Sequence, residues 1–121
     1  MNKETENNDN AKRFEYLVSE IITHKKVWLL KAHDGLYAMF EDANNQAYLP
    51  IWPGEADAAR FSADDWEGYI PEEMAFGEFL SWTDELKEDN ILIGAYPNEN
   101  MQSMSIDPTE FKQRLLLASK G

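Results

Sequence analysis

Val27-Trp28-Leu29-Leu30-Lys31-Ala32-His33-Asp34-Gly35-Leu36-Tyr37-Ala38-Met39-Phe40 is the stretch that decides how this chain folds. Two short apolar runs flank the turn residues His33-Asp34-Gly35, which is the pattern of a β-hairpin. Just before it the period is different. Phe14, Leu17, Val18, Ile21 and Ile22 recur at i, i+3, i+4, i+7 and i+8, one stripe of an amphipathic helix. Asp9 or Asn10 can cap the start of that helix, and His24-Lys25-Lys26 place positive charge where its dipole favours it.

Working toward the C-terminus, Asp42-Ala43-Asn44-Asn45-Gln46 reads as a second turn, leading to a third strand, Ala47-Tyr48-Leu49-Pro50-Ile51-Trp52. Proline donates nothing to a ladder, so Pro50 predicts that this strand lies at an edge or is interrupted there. Pro53-Gly54 ends it, and Glu55 to Phe61 predicts a short alanine-rich helix. Residues 62–71 read weakly, with a short strand expected before Pro71. From about Ala75 to Glu88 the spacing of Phe76, Phe79, Leu80, Thr83 and Leu86 is helical, although Gly77 weakens it. Ile91 to Tyr96 and Met101 to Ile106 read as strands across a Pro97-Asn98-Glu99-Asn100 loop. In the last helix Asp107 caps, Pro108 takes the first helical position, and Ile106 and Phe111 are placed for a hydrophobic staple. The order implies an α+β fold: one mixed or mostly antiparallel sheet of five or six strands, helices against one face, and a helix at each end.

The 121 residues suit one domain, expected over 9–121 after a polar tail at 1–8. A hydrophobic content of 43% is ample for a core. There is no cysteine, which removes disulfides, thiolate metal sites and cysteine nucleophiles together. No apolar run approaches the roughly 20 residues of a membrane span, and the first residues lack the apolar core of a signal peptide, so a cytoplasmic location is expected. The net charge of −12 is the sharpest compositional signal. Residues 1–40 and 91–121 are each neutral, whereas residues 41–90 set their acids against Arg60 and Lys87 alone and carry the whole −12. Such a block repels phosphate backbones and attracts a basic protein.

Val27-Trp28-Leu29-Leu30, Tyr48-Leu49-Pro50-Ile51-Trp52-Pro53 with Ala56 and Ala59 behind it, and Ala95-Tyr96-Pro97-Asn98 together resemble a bacterial family of unknown function, domain of unknown function 2750. The resemblance spans about Lys12 to Ser119 and implies a small bacterial cytoplasmic protein. It implies no activity, cofactor or catalytic residue. A looser likeness, in element order and in Leu49-Pro50-Ile51-Trp52, is to SseB-like N-terminal domains, which would imply a protein-binding module by analogy.

Chemistry-bearing motifs are sparse. His24 compensates a helix end, and His33 beside Asp34 reads as a solvated turn pair. No nucleophile elbow, glycine-rich phosphate loop or EF-hand spacing occurs. Asp64, Asp65 and Glu67 cluster closely, and the ordinary meaning of such a run is a solvated, solubilising face. Of the tryptophans, Trp28 reads as core and Trp82 as lying on the flank of its helix. Trp52 and Trp66, inside the acidic block, are candidates for exposed anchors, weighed against the burial usual for tryptophan. No catalytic residue and no cofactor is assigned. The candidate binding set is Trp52, Asp64, Asp65, Trp66 and Glu67.

Two functional readings stand beside each other. One is a non-catalytic binding or regulatory module whose acidic block meets a basic or neutral protein, an immunity-type protein against a basic toxin being one form. The other is a small metal-assisted enzyme using Asp64, Asp65, Glu67 and His33. Neither nucleic acid nor membrane is an expected partner, and an edge strand around Ile51 would allow a homodimer.

Overall fold

The computed structural model describes residues 3–62, 68–97 and 103–120. Four helices and six strands follow the expected order: α1 (Lys3–His24), β1 (Lys26–Ala32), β2 (Phe40–Glu41), β3 (Ala47–Ile51), α2 (Glu55–Ser62), β4 (Tyr69–Ala75), α3 (Phe76–Glu88), β5 (Ile91–Ala95), β6 (Met104–Ile106) and α4 (Pro108–Lys120). The fold is α+β with N- and C-terminal helices. Helix α1 begins ahead of the Asp9/Asn10 start, because residues 3–8 contain no glycine or proline to stop it. It ends where Lys25 turns left-handed, at φ 60°, and its amide donates to the Ile21 carbonyl at 2.7 Å. That reversal sends the chain directly into β1.

The expectation of a single sheet is corrected. β1 and β4 form an antiparallel pair, while β2, β3, β5 and β6 form a second sheet in that order, and an isolated bridge between Trp28 and Trp52 joins the two. The backbone bonding of β1 shows why the sheet divides. Trp28 exchanges both bonds with Trp52, at 2.9 and 3.1 Å, whereas Leu30 and Ala32 bond the returning arm of the hairpin at Ala38 and Leu36. That arm leaves β1 after Ala38, and only Phe40 and Glu41 go on to pair with β3. The hairpin read from residues 27–40 is present, and its second arm is shared between two partners.

The two prolines in strands also resolve. β3 is an interior strand, antiparallel to β2 and parallel to β5, so of the two expectations from Pro50 the edge position is wrong, while the pairing with β2 does stop short of it. The Ile51 carbonyl accepts from the Tyr96 amide at 2.9 Å, so the alternation of the strand aims the Pro50 nitrogen to the other side. There β2 has already ended, its last pair being Phe40 with Tyr48. Ile51 is fully buried and offers no edge to a second copy. β4 runs through Pro71 instead of stopping before it. Leu30 opposite bonds away from β4, which leaves the Pro71 nitrogen on the free outer edge, where no donor is needed.

Helices cover both faces, not one. Val27 and Leu29 of β1, Leu49 and Ile51 of β3, and Ile93 of β5 pack with Phe14, Leu17 and Ile21 of α1, Phe79 and Leu86 of α3, and Phe111 and Leu115 of α4. Phe111 sits at the meeting of the three helices, edge-on to Phe79 (centroids 5.9 Å apart, 84°) and tilted against Phe14 (5.8 Å, 57°). On the opposite face Leu30, Ala38, Trp52 and Ala58 make a smaller cluster, closed by α2. The small residues of α2 let it lie close to that face.

Candidate functional site

Trp52 is 1% exposed and belongs to the cluster beneath α2, so it is core and not a surface anchor. The reason is its strand position: alternation puts it on the face that Ala58 covers, and its backbone is spent on the bridge to Trp28. Asp64, Asp65, Trp66 and Glu67 lie outside the described residues. His33 is exposed in the first turn, where the Asp34 carboxylate accepts from the Leu36 amide at 3.1 Å. Among the described residues no three His, Asp or Glu side chains gather as a metal site would require.

Two other places bring polar side chains together. The first is the corner after β5. Tyr96 has φ 55°, unusual for an aromatic residue, and strain of this kind persists only where surroundings hold it. Arg13 of α1 holds it here: Nε and Nη2 donate to the carbonyls of Tyr96 and Pro97 at 3.1 and 3.0 Å, and the guanidinium lies 3.8 Å from the Tyr96 ring centroid. The Tyr96 hydroxyl donates to Asp57 Oδ1 at 3.1 Å. Burial first, and then the Asp57 charge, push the phenol above its ordinary pKa of 10.0. Arg13 has committed two donor groups to carbonyls, and the Tyr96 hydroxyl its proton to Asp57. The corner is a joint that ties α1 and α2 to the end of β5.

The second place is an open groove of about 380 Å³ between α3 and the sheet. Its lining is Tyr37 from the hairpin arm, Met74 from β4, and Glu78, Ser81, Trp82 and Glu85 from α3. The four α3 residues stand at i, i+3, i+4 and i+7, one longitudinal stripe of the helix. Phe79, Thr83 and Leu86, the buried stripe, anchor α3 to the core and so turn this other row outward. Thr83 satisfies its buried hydroxyl by donating to the Leu80 carbonyl at 2.6 Å. Trp82 is half-buried against Tyr37 (centroids 5.2 Å, 46°), while Glu78, Ser81 and Glu85 are exposed. Two other α3 charges are committed: Lys87 pairs with Asp107, and Asp84 with Lys112 at 3.5 Å. Lys31 lies 3.9 Å from Glu72, and Lys26 3.1 Å from Glu73. Glu78, Glu85 and Glu88 make no ion pair among the described residues.

Residues 14–115 match the family described as "Protein of unknown function (DUF2750)". The chain belongs to the DUF2750 family. No curated protein matches the sequence. A solved structure that resembles part of this chain is "Anabaena Tic22 (protein transport)", 11% identical over 74% of this chain with a TM-score of 0.47. The match spans 47% of that protein's length, and a likeness this distant carries no argument about function. No helix among the described residues is long and apolar enough to cross a membrane.

Of the sequence-based candidates, then, one is core and four lie outside the described residues. The groove was not anticipated for this DUF2750 protein, although part of its signal was present. A tryptophan four residues after one glutamate and three before another, on the non-core side of a helix, puts an aromatic between two carboxylates. What the sequence lacks is any sign of Tyr37 and Met74, which reach the same place from β-structure.

Proposed function

We propose that this protein is a non-catalytic binding module whose α3–β4 face receives a basic protein. The observation that carries the reading is the charge left over on α3. Lys87 turns away to Asp107 and Lys112 neutralises only Asp84, so among the described residues Glu78 and Glu85, which line an open aromatic groove, and Glu88 on the same helix are exposed without an ion pair. Exposed carboxylates in this arrangement raise the rate of encounter with a basic surface and reject an acidic one. A basic toxin held in check by such a face would be one partner of this kind. The Tyr96 corner supports the non-catalytic side of the reading, since its phenol and guanidinium are consumed in joining elements.

The test is capture from the native host on immobilised protein, beside a Glu78→Gln, Glu85→Gln, Glu88→Gln variant, at low and high salt. The reading expects one basic protein, identified by mass spectrometry, retained at low salt by the parent and released by salt or by the substitutions. Retention of nothing at low salt, or equal retention by the variant, would overturn it.

A further inference from the structure

We propose that the groove between Trp82 and Tyr37 takes a single cationic side chain, arginine or lysine, which lies on the Trp82 ring between Glu78 and Glu85. The proposal rests on the binding-module reading above and assigns it one specific contact.

Three observations converge on a cation. The first is that five other rings of this protein already carry a cation. Arg13 lies over Tyr96, Lys25 over Phe76, Lys26 over Trp28, Lys31 over Tyr37 and Arg114 over Phe14, at centroid distances from 3.8 to 5.4 Å. Trp82 has no such cation among the described residues, although tryptophan is the best π-acceptor of the three aromatic types. The second is charge. Glu78 and Glu85 bracket Trp82 on one stripe of α3 and form no ion pair among the described residues, so any ligand seated between them meets two uncompensated carboxylates. An anion is repelled there, and a neutral ligand leaves both charges unanswered. Lys31 does not answer them, because it is held over Tyr37 and toward Glu72.

The third is shape. A groove of about 380 Å³ is at the small end of ligand sites, with room for one long side chain and its flanking backbone. Its base includes Met74, 5% exposed, and the Tyr37–Trp82 ring pair, an apolar surface for the methylene stem of arginine or lysine. The carboxylates and the hydroxyl of Glu78, Glu85 and Ser81 line the α3 rim, where a charged head group would end. Arginine fits best, since its flat guanidinium can stack on an indole and still donate to a carboxylate at its edge.

The experiment titrates the full-length protein with a capped Gly-Gly-Arg-Gly-Gly peptide and with its citrulline twin, which keeps the shape and loses the charge. The readout is the Trp82 indole N–H signal in proton–nitrogen correlation spectra, assigned through the Trp82→Phe variant. The arginine peptide is expected to shift that signal saturably and to bind about ten-fold more tightly than the citrulline peptide, the effect of a partly desolvated cation–π contact with carboxylate support. Glu78→Gln with Glu85→Gln should remove the preference without changing the melting temperature, since both side chains are exposed. Equal binding of the two peptides, or shifts that map away from Trp82, would overturn the proposal. An oligo-arginine peptide separates the two levels of inference. If it binds parent and Trp82→Phe equally at low salt but the double variant more weakly, the groove is wrong and the acidic-face reading survives. If it does not bind the parent at low salt, both fall.

Discussion

Replacing Asp107 by alanine removes the cap of α4, and the structure allows the cost to be worked out group by group. The first turn of a helix leaves amide donors without intrahelical partners. Here Pro108 has no donor, the Thr109 and Glu110 amides both donate to Asp107 Oδ2 at 2.9 and 3.2 Å, and the Phe111 amide reaches the Asp107 carbonyl at 2.9 Å. The alanine variant orphans two amides of exposed residues, which water can reach, so the loss is that of a typical cap, about 1 kcal/mol. The Lys87–Asp107 pair, with Lys87 largely exposed, adds no more than about 0.5 kcal/mol. A total of about 1–1.5 kcal/mol should lower the melting temperature of a domain this size by about 3–6 °C. Asp107→Asn keeps an acceptor and loses only the charge, so its effect should stay below about 2 °C.

The same residue has a pH signature. The hydrogen bond from Lys87, and then those from the Glu110 and Thr109 amides, hold the Asp107 carboxyl below its ordinary 3.8. A depressed acid pKa contributes stability that is complete above 3.8 and is lost as pH falls through the lower folded-state value. The difference between parent and Asp107→Asn should therefore be flat above about pH 5 and shrink toward zero in strong acid. Thermal unfolding followed by circular dichroism across pH checks both parts. An alanine variant that melts with the parent, or a parent–Asn difference that grows as pH drops below 3.8, would refute the reasoning.

Phe111→Ala should be far more damaging, by about 3–5 kcal/mol, because it empties the point where α1, α3 and α4 meet; chemical denaturation should show it, with Leu117→Ala, 65% exposed, as the near-silent control. Lys25→Gly should stabilise by about 0.5–1 kcal/mol, since glycine takes the left-handed conformation at φ 60° without a Cβ penalty, and a lower midpoint in urea would count against that account of the α1–β1 junction. Trp52→Phe should remove the bluest and least quenchable part of the tryptophan emission in acrylamide titrations; loss of a readily quenched component instead would contradict its burial under α2.

The helices were legible because each carries its own address. The Phe14–Ile22 stripe, the Phe76–Leu86 spacing and the Asp107-Pro108 cap are local patterns, and local patterns need no knowledge of what lies opposite. The turns at Gly35 and Asp42 were legible for the same reason. Gly35 takes φ 90°, and Asp42 Oδ1 accepts from the Asn44 and Gln46 amides at 2.8 and 3.0 Å. The prolines were only partly legible, because their meaning depends on which side of a strand is bonded. Pro50 and Pro71 both place their nitrogen where no acceptor waits, one inside a sheet past a short neighbour and one on an outer edge.

By itself, then, the sequence settled the element order, the α+β class, the family and the confinement of the −12 charge to residues 41–90. Only the tertiary structure decided that the strands divide into two sheets bridged at Trp28 and Trp52, and that α2 closes the opposite face. It also decided which tryptophan meets solvent. Trp52 and Trp82 both lie within the acid-rich block, yet one is sealed beneath Ala58 and the other opens into a groove with Tyr37. Burial depends on what a partner element places over a side chain, and that partner is distant in sequence. Local pattern carries periodicity and charge; pairing and coverage are non-local.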